Sequence, residues 1–89
     1  MCWIGTPMKK EAIQTEFTPA LEEIASLMIE GSRTHREGEW REHAPQFHIG
    51  RAMEHLRLWR EGDQRQDHIL HAACRLLMAV SQRSSQVHD

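Results

Sequence analysis

The chain has 89 residues, of which 39% are hydrophobic and 27% are charged. This length fits a single domain with a thin core, and the balance is typical of a folded globular protein, which excludes intrinsic disorder. The formal net charge is −2 and the lysines and arginines are dispersed, so no extended basic face for duplex nucleic acid is expected.

Apolar segments and cysteines indicate the cellular compartment of the protein. The longest apolar run without a charge, residues 76–80, is far too short to span a membrane. Lys9 and Lys10 follow the first apolar residues, which is not the order found in a signal peptide. Cys2 and Cys74 form no C-x-x-C pair and are expected to be two free thiols. We therefore predict a cytoplasmic protein without a membrane partner.

The N-terminal half contains one clear helical pattern. Residues 1–17 show no sustained period and are predicted to form an irregular arm that packs on the body. A helix should begin at Thr18, which can act as its cap, with Pro19 at the first helical position. This helix is expected to fade between residues 35 and 38.

The C-terminal half predicts two helices joined by a short turn. Apolar residues at helical spacing favour a second helix over about residues 45–61, which Gly62 would end. A third is expected from about 66 to 83, with Asp63 as a plausible cap. Because the connection is short, the two helices should form an antiparallel hairpin.

The predicted fold class is therefore all-α, with three main helices and an irregular N-terminal arm. Residues 18–84 would form the single helical domain, and residues 85–89 a polar tail. The thin core indicates a homo-oligomeric bundle, because partner subunits would supply the burial that one chain lacks.

Seven histidines are an unusually large number for this length. His55 lies nine residues before the middle of the hairpin turn and His71 lies seven after it. At about 1.5 Å of rise per residue, the two residues lie at similar distances from the turn along the hairpin axis, that is, at a similar level. His68 shares a helical face with His71. These three imidazoles are candidate ligands for a divalent metal, including a transition metal that favours histidine, although each is also explained by ordinary packing.

Other side chains near this level could contact a substrate. Glu54, Asp63 and Asp67 are candidate catalytic carboxylates that could act as a general base. Trp40 could either stack on a nucleobase or cover the edge of the core. Arg51 is a candidate for contact with phosphate.

Several short segments, in order, resemble a known family. The segment from Gly31 to Trp40, with sequence GSRTHREGEW, looks like a phage motif in which a helix ends with Gly-x-x-Lys-Tyr-Gly-x-x-Asn-Trp. Met53-Glu-His-Leu, Trp59-Arg-Glu-Gly-Asp, Asp67-His and Ala72-Ala are similar to its second half. Over residues 18–80 the chain thus resembles the phage and bacterial dATP/dGTP diphosphohydrolase-like family, and in general architecture the all-α nucleoside triphosphate pyrophosphohydrolases.

The resemblance implies hydrolysis of a purine deoxynucleoside triphosphate to the monophosphate and pyrophosphate, with Mg²⁺ or Mn²⁺. Its motif positions fall on Gly31, Trp40, His55, Asp63, Asp67 and His68. His35 stands where the family usually has tyrosine, and it joins Gly31, Trp40 and Arg51 as a candidate substrate-binding residue.

Three functions compete at this point. The first is the metal-dependent hydrolase that the resemblance implies. The second is a phage protein that binds or sequesters a nucleotide without cleaving it, as in counter-defence. The third is a small helical interaction module in which the histidines are structural.

Overall fold

The computed structural model describes residues 9–36 and 38–87, and the side chains of 9–36 and 38–83. Its elements in chain order are α1 (Lys10–Glu16), α2 (Thr18–Gly31), a 3-10 turn (Glu39–Glu42), α3 (Pro45–Arg60) and α4 (His68–Val87). No strand occurs among the described residues. The all-α fold class is therefore confirmed, and none of the described helices has the length and apolar character needed to cross a membrane.

The predicted irregular arm is wrong where the structure describes it. Residues 10–16 form α1, and residues 1–8 lie outside the described part. Helical hydrogen bonding continues across Phe17, whose carbonyl accepts from Leu21 N–H. Thr18 consequently does not cap α2, and its hydroxyl donates to the Gln14 carbonyl instead. Local helical hydrogen bonds form there although the apolar spacing shows no buried stripe.

Helix α2 ends at Gly31, several residues before the predicted end. Two hydroxyl groups that follow it donate hydrogen bonds to carbonyls of its last turn. Ser32 donates to Ile29 O at 2.6 Å, and Thr34 donates to Gly31 O at 3.2 Å. Such side-chain bonds compete with the helical backbone ladder. The chain then passes through Gly38, whose φ of 75° is left-handed, into the 3-10 turn that contains Trp40.

The predicted C-terminal hairpin forms, with small differences at its ends. α3 keeps almost its predicted bounds and stops before Gly62, whose φ is 89°. The cap of α4 is Asp67 rather than Asp63: Asp67 Oδ1 accepts from the Leu70 N–H at 3.1 Å. α4 runs to Val87, beyond the predicted end near residue 83.

The hairpin helices make the main packing contact, and α2 lies against α4. Most of the buried apolar side chains are small, namely Ala52, Ala72, Cys74 and Ala79 beside Ile24. Small residues let the two hairpin helices approach closely, but they bury little apolar area. The radius of gyration is 14.9 Å, against about 12 Å expected for a compact domain of this length. The chain is thus an open, two-layer arrangement with a modest core.

Candidate functional site

An open groove lies where the C-terminal end of α2, the 3-10 turn, α3 and α4 meet. Its volume is about 770 Å³. The four residues predicted to contact substrate all line it: Gly31, His35, Trp40 and Arg51. Of the three predicted metal ligands, His71 lines the same groove, whereas His55 and His68 do not.

Two arginines give the groove positive charge. Arg51 and Arg75 both line it, and neither forms a salt bridge with any carboxylate in the described part of the chain. Their guanidinium carbons lie 5.3 and 5.7 Å from the centre of the Phe47 ring. Burial, followed by the neighbouring Arg51 charge, lowers the pKa of Arg75. Two close cations without a counter-charge favour a bound anion between them.

A fully buried histidine positions Arg75. His48 has no solvent exposure, and its Nε2 lies 2.9 Å from the Trp40 carbonyl, so Nε2–H must donate. The other ring nitrogen, Nδ1, then accepts from Arg75 Nη1 at 3.2 Å. One imidazole therefore links the 3-10 turn, α3 and α4. Burial is the main cause that lowers the pKa of His48, and this favours the neutral ring that both bonds require.

Aromatic rings form another part of the groove wall. His43 and Phe47 stack with centroids 4.0 Å apart and ring planes within 16°. The Arg41 guanidinium lies 5.0 Å from the centre of the Trp40 ring. Flat rings next to cationic side chains suit a ligand that combines a heteroaromatic base with phosphates.

Sequence reasoning did not assign His43, Phe47, His48 and Arg75 to the site. A signal for His48 was present, because His48, Ala52 and His55 recur at helical spacing on one face of α3. His43, Phe47 and Arg75 gave no comparable signal, since their proximity depends on how the 3-10 turn meets the hairpin.

The three histidines predicted to share one level do meet between α3 and α4. His55 Nδ1 lies 3.0 Å from His68 Nδ1, and the His55 and His71 rings stack with centroids 4.9 Å apart. On its other side, His68 Nε2 lies 2.5 Å from Asp63 Oδ2. The hydrogen bond from His68, then that from Arg65, lowers the pKa of Asp63, which therefore accepts as a carboxylate.

This chain of bonds fixes the ring tautomers. Because the Asp63 carboxylate can only accept, His68 carries a proton on Nε2; when this is the only ring proton, its Nδ1 accepts from His55. His55 must then donate from Nδ1, which leaves its Nε2 with the lone pair. Burial is the main cause that lowers the pKa of both His55 and His71. Near neutral pH the His55 and His71 rings are therefore uncharged and can stack without repulsion.

In this arrangement, the imidazoles of His55, His68 and His71 do not fit a metal site. Both ring nitrogens of the buried His68 are engaged, so the ring offers a metal no free lone pair. Within residues 9–36 and 38–83, no group of three histidine, cysteine, aspartate or glutamate side chains is placed to hold a metal ion. Metal binding by His55, His68 and His71 stays a prediction, and no reaction step is derived from it.

The predicted catalytic carboxylates lie outside the groove lining. Glu54 pairs with Arg57 at 2.5 Å on the exposed side of α3, and hydrogen bonding to Arg57 lowers the pKa of Glu54. Asp67 caps α4, and Asp63 holds His68. The structure thus gives each carboxylate a local partner, and their catalytic roles stay predictions.

The Asp63 contact gives a direct test of the tautomer assignment. In the wild-type protein, ¹H–¹⁵N NMR of the imidazoles should show His68 protonated on Nε2. Asp63→Asn should mix the two tautomers, because an amide can either accept or donate, and should lower the melting temperature. Glu30→Gln, which removes an exposed carboxylate paired with Arg33, is the control and should change neither. A wild-type His68 protonated on Nδ1 would contradict the assignment.

Comparisons with known proteins place the chain in a family. The family model described as dATP/dGTP diphosphohydrolase, N-terminal, matches residues 6–88. No curated protein matches the chain, and no solved structure matches it. The family match covers nearly the whole length and agrees with the resemblance carried by the Gly31–Trp40 and hairpin motifs. The chain belongs to the dATP/dGTP diphosphohydrolase N-terminal family.

Proposed function

We propose that the groove binds a purine deoxynucleoside triphosphate and that the chain takes part in hydrolysing it to the monophosphate and pyrophosphate. The observation that carries this proposal is the pair Arg51 and Arg75, two groove cations that no described carboxylate neutralises. A triphosphate supplies the missing negative charge and can accept bidentate bonds from both guanidinium groups.

The aromatic wall supports a nucleotide rather than a simple inorganic anion. The stacked His43–Phe47 pair and Trp40 line the same groove as the arginines. A purine has the larger stacking surface of the two base classes, and stacking on aromatic side chains is worth about 1–3 kcal/mol per base. The groove volume of about 770 Å³ is also within the usual range for small-molecule sites.

His71 is the groove residue best suited to accept a proton. Burial lowers its pKa, so the ring is neutral near neutral pH. It also stacks on His55, which belongs to the hydrogen-bonded chain ending at Asp63. A neutral imidazole at the groove wall can serve as a general base toward an attacking water. Under this proposal, the Asp63–His68–His55 chain stabilises the packing behind His71.

A second candidate is nucleotide binding without cleavage. It is favoured by the carboxylate arrangement, since Glu54, Asp63 and Asp67 each have a local partner and do not converge on the groove. Such a protein would sequester a nucleotide. Both candidate functions are compatible with a role in the cytoplasm of a phage-infected cell. The dependence on Mg²⁺ or Mn²⁺ that the family resemblance implies is retained as a prediction.

A nucleotide panel with product analysis tests both candidates. The protein is incubated with each of the four deoxynucleoside triphosphates and with ATP and GTP, in Mg²⁺, in Mn²⁺ or in EDTA. We expect dATP or dGTP to yield the monophosphate and pyrophosphate with metal and to stay intact in EDTA. Thermal stabilisation by a purine nucleotide that is recovered intact under every condition would favour binding alone. Neither products nor stabilisation would refute both candidates.

A further inference from the structure

We propose that Glu39 recognises the purine base in the groove and makes guanine the preferred base over adenine. The inference rests on the proposed function and deepens it, because it selects one of the two purine nucleotides. Glu39 is the only carboxylate among the described residues that line the groove. A carboxylate would repel the phosphates that the groove arginines attract, so it has to contact a different part of the nucleotide.

The Glu39 side chain carries a charge that the chain itself does not neutralise. Within the described residues, no salt bridge involves Glu39. The neighbouring Arg36 guanidinium pairs with Glu42 at 2.5 Å instead. Glu39 is also half-buried, so it has lost part of its contact with water. An unpaired carboxylate in this position favours a ligand that donates hydrogen bonds to it.

Two reciprocal hydrogen bonds hold Glu39 against the residue three positions before it. The Glu39 N–H donates to the Arg36 carbonyl at 3.0 Å, and the Arg36 N–H donates to Glu39 Oε1 at 3.2 Å. Gly38 makes this turn possible, because its left-handed backbone is one that glycine adopts without strain. The carboxylate is thus held in place before a ligand binds. Oε2 and the second lone pair of Oε1 can still accept from a base.

The 3-10 turn forms the end of the groove that suits the base. The two groove arginines lie 5.3 and 5.7 Å from the centre of the Phe47 ring, which marks the phosphate end. Trp40 follows Glu39 in the 3-10 turn and lines the same groove. The His48 ring connects the two ends, since its nitrogens contact the Trp40 carbonyl and Arg75. One imidazole is shorter than a nucleotide, so a nucleotide with its base at the turn can reach the arginines with its phosphates.

Hydrogen-bond donors distinguish guanine from adenine at a carboxylate. The Watson–Crick edge of guanine presents N1–H beside the N2 amine, and the two groups can donate to the two oxygens of one carboxylate. Adenine presents its N6 amine beside N1, which is an acceptor. Because an ionised carboxylate only accepts, adenine would form one bond and place a lone pair against the second oxygen. A site built in this way around donors discriminates strongly against a base that lacks one of them.

Binding of three purine nucleotides to the wild-type protein tests the inference without any variant. Isothermal titration calorimetry is performed in EDTA, so that it measures base recognition and not metal coordination. We expect dGTP to bind about 10- to 150-fold more tightly than dATP, which corresponds to one hydrogen bond to a charged group. The base of dITP keeps N1–H but lacks the N2 amine, so its affinity should lie between these two. Equal affinities for dGTP and dATP would overturn the inference.

Glu39→Gln tests the residue itself. Glutamine has nearly the same shape, and its carbonyl can still accept from the Arg36 N–H, so the turn should be kept. Its amide both donates and accepts and can therefore pair with either purine. We expect the affinity for dGTP to fall about 10-fold or more and the affinities for dGTP and dATP to become nearly equal. Glu30→Gln removes an exposed carboxylate outside the groove lining and should change neither affinity.

Further outcomes separate this inference from the proposed function. Equal weakening of dGTP and dATP binding by Glu39→Gln would overturn the inference, because the carboxylate would then contact the sugar that both nucleotides share. A loss of thermal stabilisation that appears in Mg²⁺ but not in EDTA would also overturn it, by assigning Glu39 to a metal. Far-UV circular dichroism checks that the variant keeps its helices. Wild-type protein that binds no nucleotide in EDTA or in Mg²⁺ would refute the proposed function and the inference together, whereas equal binding of both purines refutes the inference alone.

Discussion

Replacing both Arg51 and Arg75 with alanine is expected to weaken binding of a purine deoxynucleoside triphosphate by about 100-fold or more. Hydrogen bonds that involve charged groups contribute about 1.5–3 kcal/mol each, so each single substitution should cost roughly 10- to 150-fold. Arg75 should show the larger effect, because it is half-buried and His48 holds its guanidinium toward the groove. Arg51 is more exposed, and solvent weakens its interaction with phosphate.

Isothermal titration calorimetry with dATP and dGTP measures this loss. Arg60→Ala is the matched control, since it removes one positive charge from α3 without touching the groove lining. Arg75→Lys keeps the charge but loses the planar fork, so its affinity should fall between those of the wild type and Arg75→Ala. If Arg60→Ala weakened binding as much as Arg75→Ala, only net charge would matter and the assignment of the groove would fail.

The hairpin was predictable because its signals are local. Apolar residues repeat at helical spacing on both sides of Gly62, and the short turn forces antiparallel packing. The same regularity, with a constant rise per residue, predicted that His55, His68 and His71 would come together. Helix α1 and the early end of α2 were not predicted, because they depend on local hydrogen bonds rather than on a buried stripe.

The groove was only half predictable, for a different reason. Trp40 and Arg51 were identified from residue type and from their places in the chain. His48 and Arg75 are 27 residues apart, and their bond exists only after α3 and α4 have packed. No periodic pattern in the sequence indicates this contact, because the packing of α3 against α4 determines which of their residues meet. The sequence also did not reveal that Glu54 would pair with Arg57 on the outer side.

Removing the His48 ring should have the largest effect on stability of any single substitution at the groove or directly behind it. His48→Leu leaves the Trp40 carbonyl and the Arg75 guanidinium without their buried partner. Unsatisfied buried polar groups and the altered packing together should cost about 2–5 kcal/mol. His48→Gln can still donate to one neighbour and accept from the other, so it should retain part of this free energy. Urea unfolding at one fixed protein concentration measures both variants.

The same histidine links the groove to pH. Burial lowers the pKa of His48, and the charges of Arg75 and His43 act in the same direction; burial also lowers the pKa values of His55 and His71. The unfolded chain therefore takes up protons at about pH 6.5 that the folded chain excludes, so the free energy of unfolding should fall as the pH drops below that value. The contribution of Asp63, whose pKa is lowered from 3.8, is lost only in more acidic solution.

His48→Gln separates the contribution of His48 from those of the other two histidines. The variant cannot titrate at this position, so its free energy of unfolding should fall less steeply than that of the wild type between about pH 6.5 and pH 5. The affinity for nucleotide should likewise fall more steeply with decreasing pH in the wild type than in His48→Gln. Protonated His48 would present an N–H to Arg75 in place of a lone pair, whereas glutamine does not titrate. Equal slopes for the two proteins would mean that the imidazole at position 48 keeps its proton count on folding, and the proposed coupling between its neutral form and Arg75 would be wrong.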